Sequence, residues 1–152
     1  MRWKVNRERV LYLTFFSNPK KEFMSRFKSV LLVEDDPITI LVCDRIITIS
    51  AFADKVISCE NGKCAFDYLK DLLAKGEDIP EIIFLDINMP VMNGWDFLEE
   101  LEHIKSSFSR LPRIYILSST VDPEDYKRAK SFEAVVDFIS KPLSKEFLEE
   151  IK

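Results

Sequence analysis

Residues 81–94 read EIIFLDINMPVMNG, and residues 29–36 read SVLLVEDD. In both stretches an unbroken apolar run ends directly on acidic side chains. Continuous Val, Ile, Leu and Phe without alternation mark a strand buried on both faces, the condition of strands in a parallel sheet. Similar runs occur at Val56–Cys59, Ile114–Leu117 and Ala134–Ile139, beside the two quoted at Val30–Val33 and Ile82–Leu85. Helical stretches separate them. Asp36-Pro37 opens one that runs to about Ser50. Asn61-Gly62 precedes Lys63–Lys75, with Gly76 as the stop, and Asn93-Gly94 precedes Trp95–Lys105. Asp122-Pro123 opens a helix to about Phe132, and Ser144 caps a last one with Phe147, Leu148 and Ile151 on one face. Five strand–helix units with right-handed crossovers predict an α/β fold: a doubly wound, five-stranded parallel sheet in the order 2-1-3-4-5, with helices on both faces.

The rest of the composition agrees with this. The chain has 152 residues, 47% hydrophobic and 32% charged, enough for one packed domain. No apolar run approaches the ~20 residues that cross a bilayer. Cys43, Cys59 and Cys64 form no CxxC pair, which predicts reduced, buried thiols and a cytoplasmic protein. Residues 1–28 carry eight basic and two acidic side chains; against a total of −4 this leaves −10 on residues 29–152. An acidic body is a poor nucleic-acid surface, and the eight scattered basic charges of the start, without an aromatic stacking pattern, are weak evidence for a nucleic-acid or membrane arm. Residues 1–23 read as a basic N-terminal extension ahead of a domain at 24–152, with Met24 as an alternative start. Residues 10–16, VLYLTFF, mimic the apolar core of a signal peptide. The sequence that follows, Ser17-Asn18-Pro19-Lys20-Lys21, offers no cleavage site, so neither export nor membrane attachment is expected. The last helix runs into Lys152, and no output domain is expected after it.

In open α/β sheets, ligands bind beyond the carboxyl ends of the strands, where the strand order reverses. The first expected strand ends in Glu34-Asp35-Asp36, the third in Asp86, the fourth in Ser118-Ser119-Thr120, and the fifth just before Lys141-Pro142. In the order 2-1-3-4-5 the first and third strands are neighbours, so Glu34, Asp35 and Asp86 converge. Carboxylates crowded together either protonate or recruit a cation. An all-oxygen set without His or Cys suits Mg²⁺. A carboxylate in such a place can attack phosphorus, with Lys141 and the Ser118 hydroxyl available to phosphoryl oxygens.

These residues resemble the receiver domains of two-component response regulators, stand-alone type, with the (βα)5 flavodoxin-like fold. The resemblance covers residues 29–152 and rests on LLVEDD (31–36), FLDINMPVMNG (84–94), Ser118-Ser119 and Lys141-Pro142. It implies that Asp86 is the phosphoacceptor and a Mg²⁺ ligand. It implies that Asp35 binds the metal directly, Glu34 through water and Asn88 through its backbone carbonyl. Lys141 would bind a phosphoryl oxygen, and the Lys141–Pro142 bond would be cis. Ser118 takes the hydroxyl position of the switch and Phe138 the aromatic position. The family implies a histidine kinase or histidine phosphotransfer protein as donor and an unnamed downstream protein as reader. It also implies an output face made by the fourth helix, fifth strand and fifth helix, through which a homodimer can form. The domain would support its own phosphotransfer and dephosphorylation without being a turnover enzyme.

Other readings compete. Asp36 before Pro37 is a helix cap. Met89-Pro90 and Gly94 read as shaping the loop after Asp86. His103 lies among Glu99, Glu100 and Glu102 and is expected in solvent. A haloacid-dehalogenase-type phosphohydrolase wants a second Asp where Asn88 stands; a P-loop NTPase wants GxxxxGK[ST], absent here; a flavodoxin-like electron carrier wants hydroxyls where three acids stand. A receiver-like interaction module working without phosphorylation is the alternative. The first helix is apolar most of the way round, with only Asp44 and Arg45 charged. Either it exposes an apolar patch that suits a donor helix, or the basic N-terminal segment buries it.

Overall fold

The computed structural model describes residues 2–5, 10–14, 24–120 and 122–152. In chain order the elements are β1 (Arg2–Val5), β2 (Val10–Thr14), β3 (Phe27–Val33), α1 (Pro37–Ile49), β4 (Ala53–Cys59), α2 (Gly62–Lys75), β5 (Ile82–Asp86), α3 (Gly94–His103), β6 (Arg113–Ser118), α4 (Pro123–Ala129), β7 (Val135–Ser140) and α5 (Lys145–Glu150). One sheet contains every strand, in the order β1-β2-β4-β3-β5-β6-β7. Its parallel part, β4-β3-β5-β6-β7, is the expected 2-1-3-4-5 arrangement. The two strands ahead of it were not anticipated. β2 pairs antiparallel with β4, and β1 with β2. Most of the run that mimics a signal peptide is therefore a strand, while Phe15 and Phe16 lie outside the described residues. So does the rest of the 1–23 extension beyond β1 and β2.

Strand alternation divides the core in two. On one face Leu31, Val33, Ile57, Ile83 and Leu85 meet α2 and α3 through Leu69, Leu72, Phe97 and Leu98. On the other, Val30, Leu32, Val56, Phe84 and Leu117 meet α1 and α5 through Ile40, Ile47 and Leu148. The central strands are buried because both faces are covered, which is why they read as unbroken apolar runs. β7 departs from that expectation. It is the outer strand, Val136 is 52% exposed, and Val135 and Phe138 are only half-buried.

The helices begin where expected, since each start is chemically marked. Asp36, Asn61, Asn93, Asp122 and Ser144 each accept a backbone N–H of the following first turn. Two ends come earlier than predicted. α3 stops at His103, where the Ile104 N–H turns to the Leu101 carbonyl at 3.1 Å and a short 3-10 turn follows at Lys105–Ser107. α4 stops at Ala129, where the Ser131 hydroxyl takes the Arg128 carbonyl at 2.6 Å. Ile151 lies just past α5 yet is 3% exposed, so it packs as expected without being helical.

Two arginines fasten the far end of the sheet to α5. Arg26 donates to the Leu148 carbonyl at 2.8 Å and lies over the rings of Phe27 and Phe52. Arg113 donates to the Lys152 carbonyl and also covers Phe27.

Candidate functional site

The Glu34 N–H donates to the Cys59 carbonyl at 3.0 Å, extending the β3–β4 pairing one residue past Val33. The chain then turns, and the Asp36 N–H donates to Glu34 Oε1 at 3.1 Å. Asp36 is committed to capping α1: it accepts from Thr39 N at 3.1 Å and from the Thr39 hydroxyl at 2.6 Å. Those bonds hold its carboxyl below the usual range. Asp35 is left exposed at the mouth of the crevice. On the neighbouring strand Asp86 closes β5, in register with Leu117 of β6. One carboxylate oxygen from each of Glu34, Asp35 and Asp86 lies within 4.8 Å of the others. Glu34 is 1% exposed and Asp86 5%, so this is an acidic cluster with a buried floor.

Lys141 enters from the end of β7. Its N–H donates to the Ser118 carbonyl at 2.8 Å, which ties the ends of β6 and β7, and its bond to Pro142 is cis. Its ammonium donates to Glu34 Oε2 at 2.7 Å and lies 3.5 Å from Asp86 Oδ1. Burial pushes the Glu34 carboxyl up to about 7, against the hydrogen bonds from Lys141 and the Asp36 N–H. Burial pulls the Lys141 ammonium down, but its hydrogen bond to Glu34 and the charges of Glu34 and Asp86 outweigh this and leave it raised. Three acids against one ammonium keep an excess of negative charge in a hard-oxygen pocket. That donor set fits Mg²⁺.

The loop after Asp86 is built by close backbone approach. The Asn88 N–H donates to Asp86 Oδ1 at 3.3 Å, which orients the carboxylate. Gly94 N–H donates to the Ile87 carbonyl at 2.9 Å, and Gly62 N–H to the Met92 carbonyl at 3.0 Å. A Cβ on Gly94 would stand 2.7 Å from the Asp86 carbonyl oxygen, and one on Gly62 2.8 Å from that of Met92. Asn93 and Asp96 form a reciprocal capping box that starts α3. Val91 projects from this loop with φ 72° and is 82% exposed.

Ser118 is 5% exposed at the end of β6, and its hydroxyl donates to the Thr120 carbonyl at 2.6 Å. Phe138 pairs with Ile116 across β6 and β7, two register steps below the pairing of Ser118 with Ser140. His103 is exposed and the three cysteines are buried and free. On α1, Ile38, Leu41, Val42 and Ile49 are 72, 60, 41 and 69% exposed. Of the basic N-terminal segment, β1 and β2 lie in the plane of the sheet, and residues 6–9 and 15–23, on which burial of this face by that segment depends, lie outside the described residues.

The sequence brought Glu34, Asp35, Asp86 and Lys141 to one place. It missed the Thr120 carbonyl as partner of Ser118 and the role of Gly62 in holding the loop of a different unit. Asn61-Gly62 was visible only as a helix start. Among the described residues no helix is long and apolar enough to cross a membrane.

Comparison with known proteins agrees with this geometry. The family model of the response regulator receiver domain matches residues 30–151. A two-component response regulator from Cytophaga hutchinsonii has a similar structure, with 33% identity, a TM-score of 0.74, and coverage of 81% of this chain and 92% of its own. One from Legionella pneumophila has 27% identity, a TM-score of 0.67, and coverage of 81% and 93%. Hybrid signal transduction histidine kinase L of Dictyostelium discoideum is 32% identical over 80% of this chain, which spans only 7% of that protein. The probable methanogenesis regulatory protein FilR2 of Methanothrix harundinacea is 29% identical over 81% of this chain, and there the match spans 80% of the relative.

Proposed function

Since the chain belongs to the response regulator receiver domain family, we propose that it is a phosphoacceptor switch in which Asp86 receives the phosphoryl group. The observation that carries this is the meeting of Asp86 with Glu34, Asp35 and Lys141 at the switch point of the sheet. An Asp86 carboxylate oxygen attacks phosphorus and forms a P–O bond. The P–N bond to a donor imidazole breaks, and the nitrogen keeps the electron pair. Asn88 N–H, already on Asp86 Oδ1, leaves the other oxygen for the attack. Lys141 is 3.5 Å from Asp86 and follows charge onto a phosphoryl oxygen.

Asp35 and Asp86 would hold Mg²⁺ directly, with the Asn88 carbonyl, and Glu34 would do so through water. The ion supplies neutralisation of phosphoryl charge. The Ser118 hydroxyl then exchanges the Thr120 carbonyl for a phosphoryl oxygen. Because the neighbouring strand carries Phe138, its ring repacks and the face formed by α4, β7 and α5 changes shape. A histidine kinase or histidine phosphotransfer protein in the cytoplasm is the donor in this reading, docking on Ile38, Leu41 and Val42 beside the crevice. A downstream protein, or a second copy, reads the α4–β7–α5 face. The domain serves its own phosphotransfer and dephosphorylation and turns over no other substrate.

The test is incorporation of base-labile phosphate from acetyl phosphate. The parent chain is expected to be labelled in the presence of Mg²⁺ and Asp86→Asn not at all. Undiminished labelling of Asp86→Asn would refute the assignment. A correctly folded parent that takes no label would favour the interaction module that works without phosphorylation.

A further inference from the structure

α4 is a seven-residue helix that buries one side chain, Ala129. A helix in a protein is stabilised chiefly by packing an apolar face, and α4 has little of one. Its hold on α3 comes instead from side chains gathered on one ring. Trp95 lies in the first turn of α3 and is 7% exposed. The Arg128 guanidinium sits 4.5 Å from its ring centroid, and Phe132 stacks on it with centroids 6.3 Å apart. The same guanidinium donates to Glu99 Oε1 at 2.9 Å. Glu99 stands four residues after Trp95, so both partners of Arg128 lie on one face of α3. Trp95, Glu99, Arg128 and Phe132 form a clasp between the two helices.

The two sides of the clasp differ. Phe132 lies beyond the end of α4, and its neighbour Glu133 reaches Lys105, just past α3, at 3.5 Å. The turn after α4 thus has ties of its own to the α3 side. Arg128 is the contact made from within α4. Its side chain is 47% exposed and that of Glu99 55%, so the contact orients the helix yet is weak enough to be broken.

Both ends of this arrangement lead to the acidic cluster. Trp95 follows Gly94, whose N–H holds the Ile87 carbonyl and whose backbone lies against that of Asp86. α4 begins after its cap Asp122, two residues beyond Thr120, and the Thr120 carbonyl accepts the Ser118 hydroxyl. A helix tied to the Ser118 loop at its start and to Trp95 at its last turn cannot follow a movement of that loop while Arg128 holds.

We propose that Arg128 is the positioning residue of α4: it keeps the helix on Trp95 and Glu99 in the resting protein and lets go when Asp86 is charged, with the turn at residues 131–133 as the pivot. The trigger rests on the phosphoacceptor reading; the clasp rests on its own geometry. A contact made at rest and lost on charging opposes charging, and by reciprocity its removal makes Asp86 easier to load. The effect is expected even though Trp95 and Glu99, the partners of Arg128, lie outside the acidic cluster.

Beryllofluoride with Mg²⁺ is the probe, titrated by NMR into the full chain of the parent, Glu99→Gln and Arg128→Gln. Arg128→Gln loses both the ion pair and the cation over the ring, and it should bind about five- to thirtyfold more tightly than the parent. Glu99→Gln loses the ion pair alone and should fall between the two. Without the probe, amide exchange of residues 126–130 should quicken in Arg128→Gln by up to the same factor, while α3 and β5 exchange as in the parent. A side chain with a merely structural role would lower the urea midpoint and leave beryllofluoride affinity unmoved. Unchanged or weaker binding in Arg128→Gln, or unchanged exchange of α4, would overturn the proposal. A parent that binds no beryllofluoride refutes the phosphoacceptor reading and the trigger with it; parent-like exchange of α4 in Arg128→Gln refutes the clasp separately.

Discussion

Replacing Gly94 with Ala asks whether the strand end that carries Asp86, the proposed phosphoacceptor, is positioned by backbone contact. The new Cβ would lie 2.7 Å from the Asp86 carbonyl oxygen and 2.8 Å from Ile87 Cα. Both are main-chain atoms, and no rotamer change can move them aside. Ordinary contact begins near 3.4 Å, so the start of α3 and the end of β5 must separate by about 0.7 Å. Overpacking of this kind costs about 1–3 kcal/mol. The separation also stretches the 2.9 Å bond from Gly94 N–H to the Ile87 carbonyl, worth about 1 kcal/mol. A loss of roughly 2–4 kcal/mol is therefore expected, read as a lower urea midpoint with an unchanged slope. Labelling of Asp86 by acetyl phosphate should slow by at least about tenfold, because displacements near 1 Å at a reacting group cost that much or more. Gly76→Ala is the control. Gly76 has φ 66° and nothing within 4 Å of a Cβ, so Ala there strains one turn by about 1 kcal/mol and leaves labelling alone. If Gly94→Ala unfolds at the parent midpoint and labels at the parent rate, the contact does not position Asp86.

Two further outcomes are expected. Asp35→Ala should weaken Mg²⁺ binding, followed by titration of intrinsic Trp fluorescence, and slow labelling; equal labelling rates with and without chelator would contradict a metal role. Ser118→Ala should leave Mg²⁺ binding and labelling largely intact while removing the NMR shifts of α4 and Phe138 that beryllofluoride induces in the parent. Unchanged remote shifts would pass the switch role to Ser119 or Thr120.

The parallel sheet was legible because burial on both faces leaves unbroken apolar runs, and the site because acids end those runs abruptly. Once Glu34 and Asp86 were assigned to adjacent strands, their convergence followed from topology. Side-chain commitments did not follow. Sequence places Lys141 at a strand end, but only geometry shows its ammonium nearer to Glu34, at 2.7 Å, than to Asp86, at 3.5 Å. The Ser118 hydroxyl likewise turns back on its own loop. β2 was hidden because VLYLT has the apolar character of several structures, and only pairing with β4 makes it a strand. β7 was misjudged for the opposite reason: Val135-Val136 reads as buried, yet the outermost strand is covered on fewer sides. Helix starts carried side-chain signals, whereas the tightened turn that ends α3 and the Ser131 hydroxyl bond beyond α4 were not visible in the sequence pattern.

The contact of Arg26 with α5 gives the chain a mechanical linkage. Its guanidinium lies over the rings of Phe27 and Phe52 and is bonded to the Leu148 carbonyl, so one side chain couples the entrance of β3 to the last helix. A load applied to the backbone ahead of β3 is transmitted to α5 without crossing the sheet. A displacement of α5 would therefore be passed to the entrance of β3, at the end of the sheet away from Asp86.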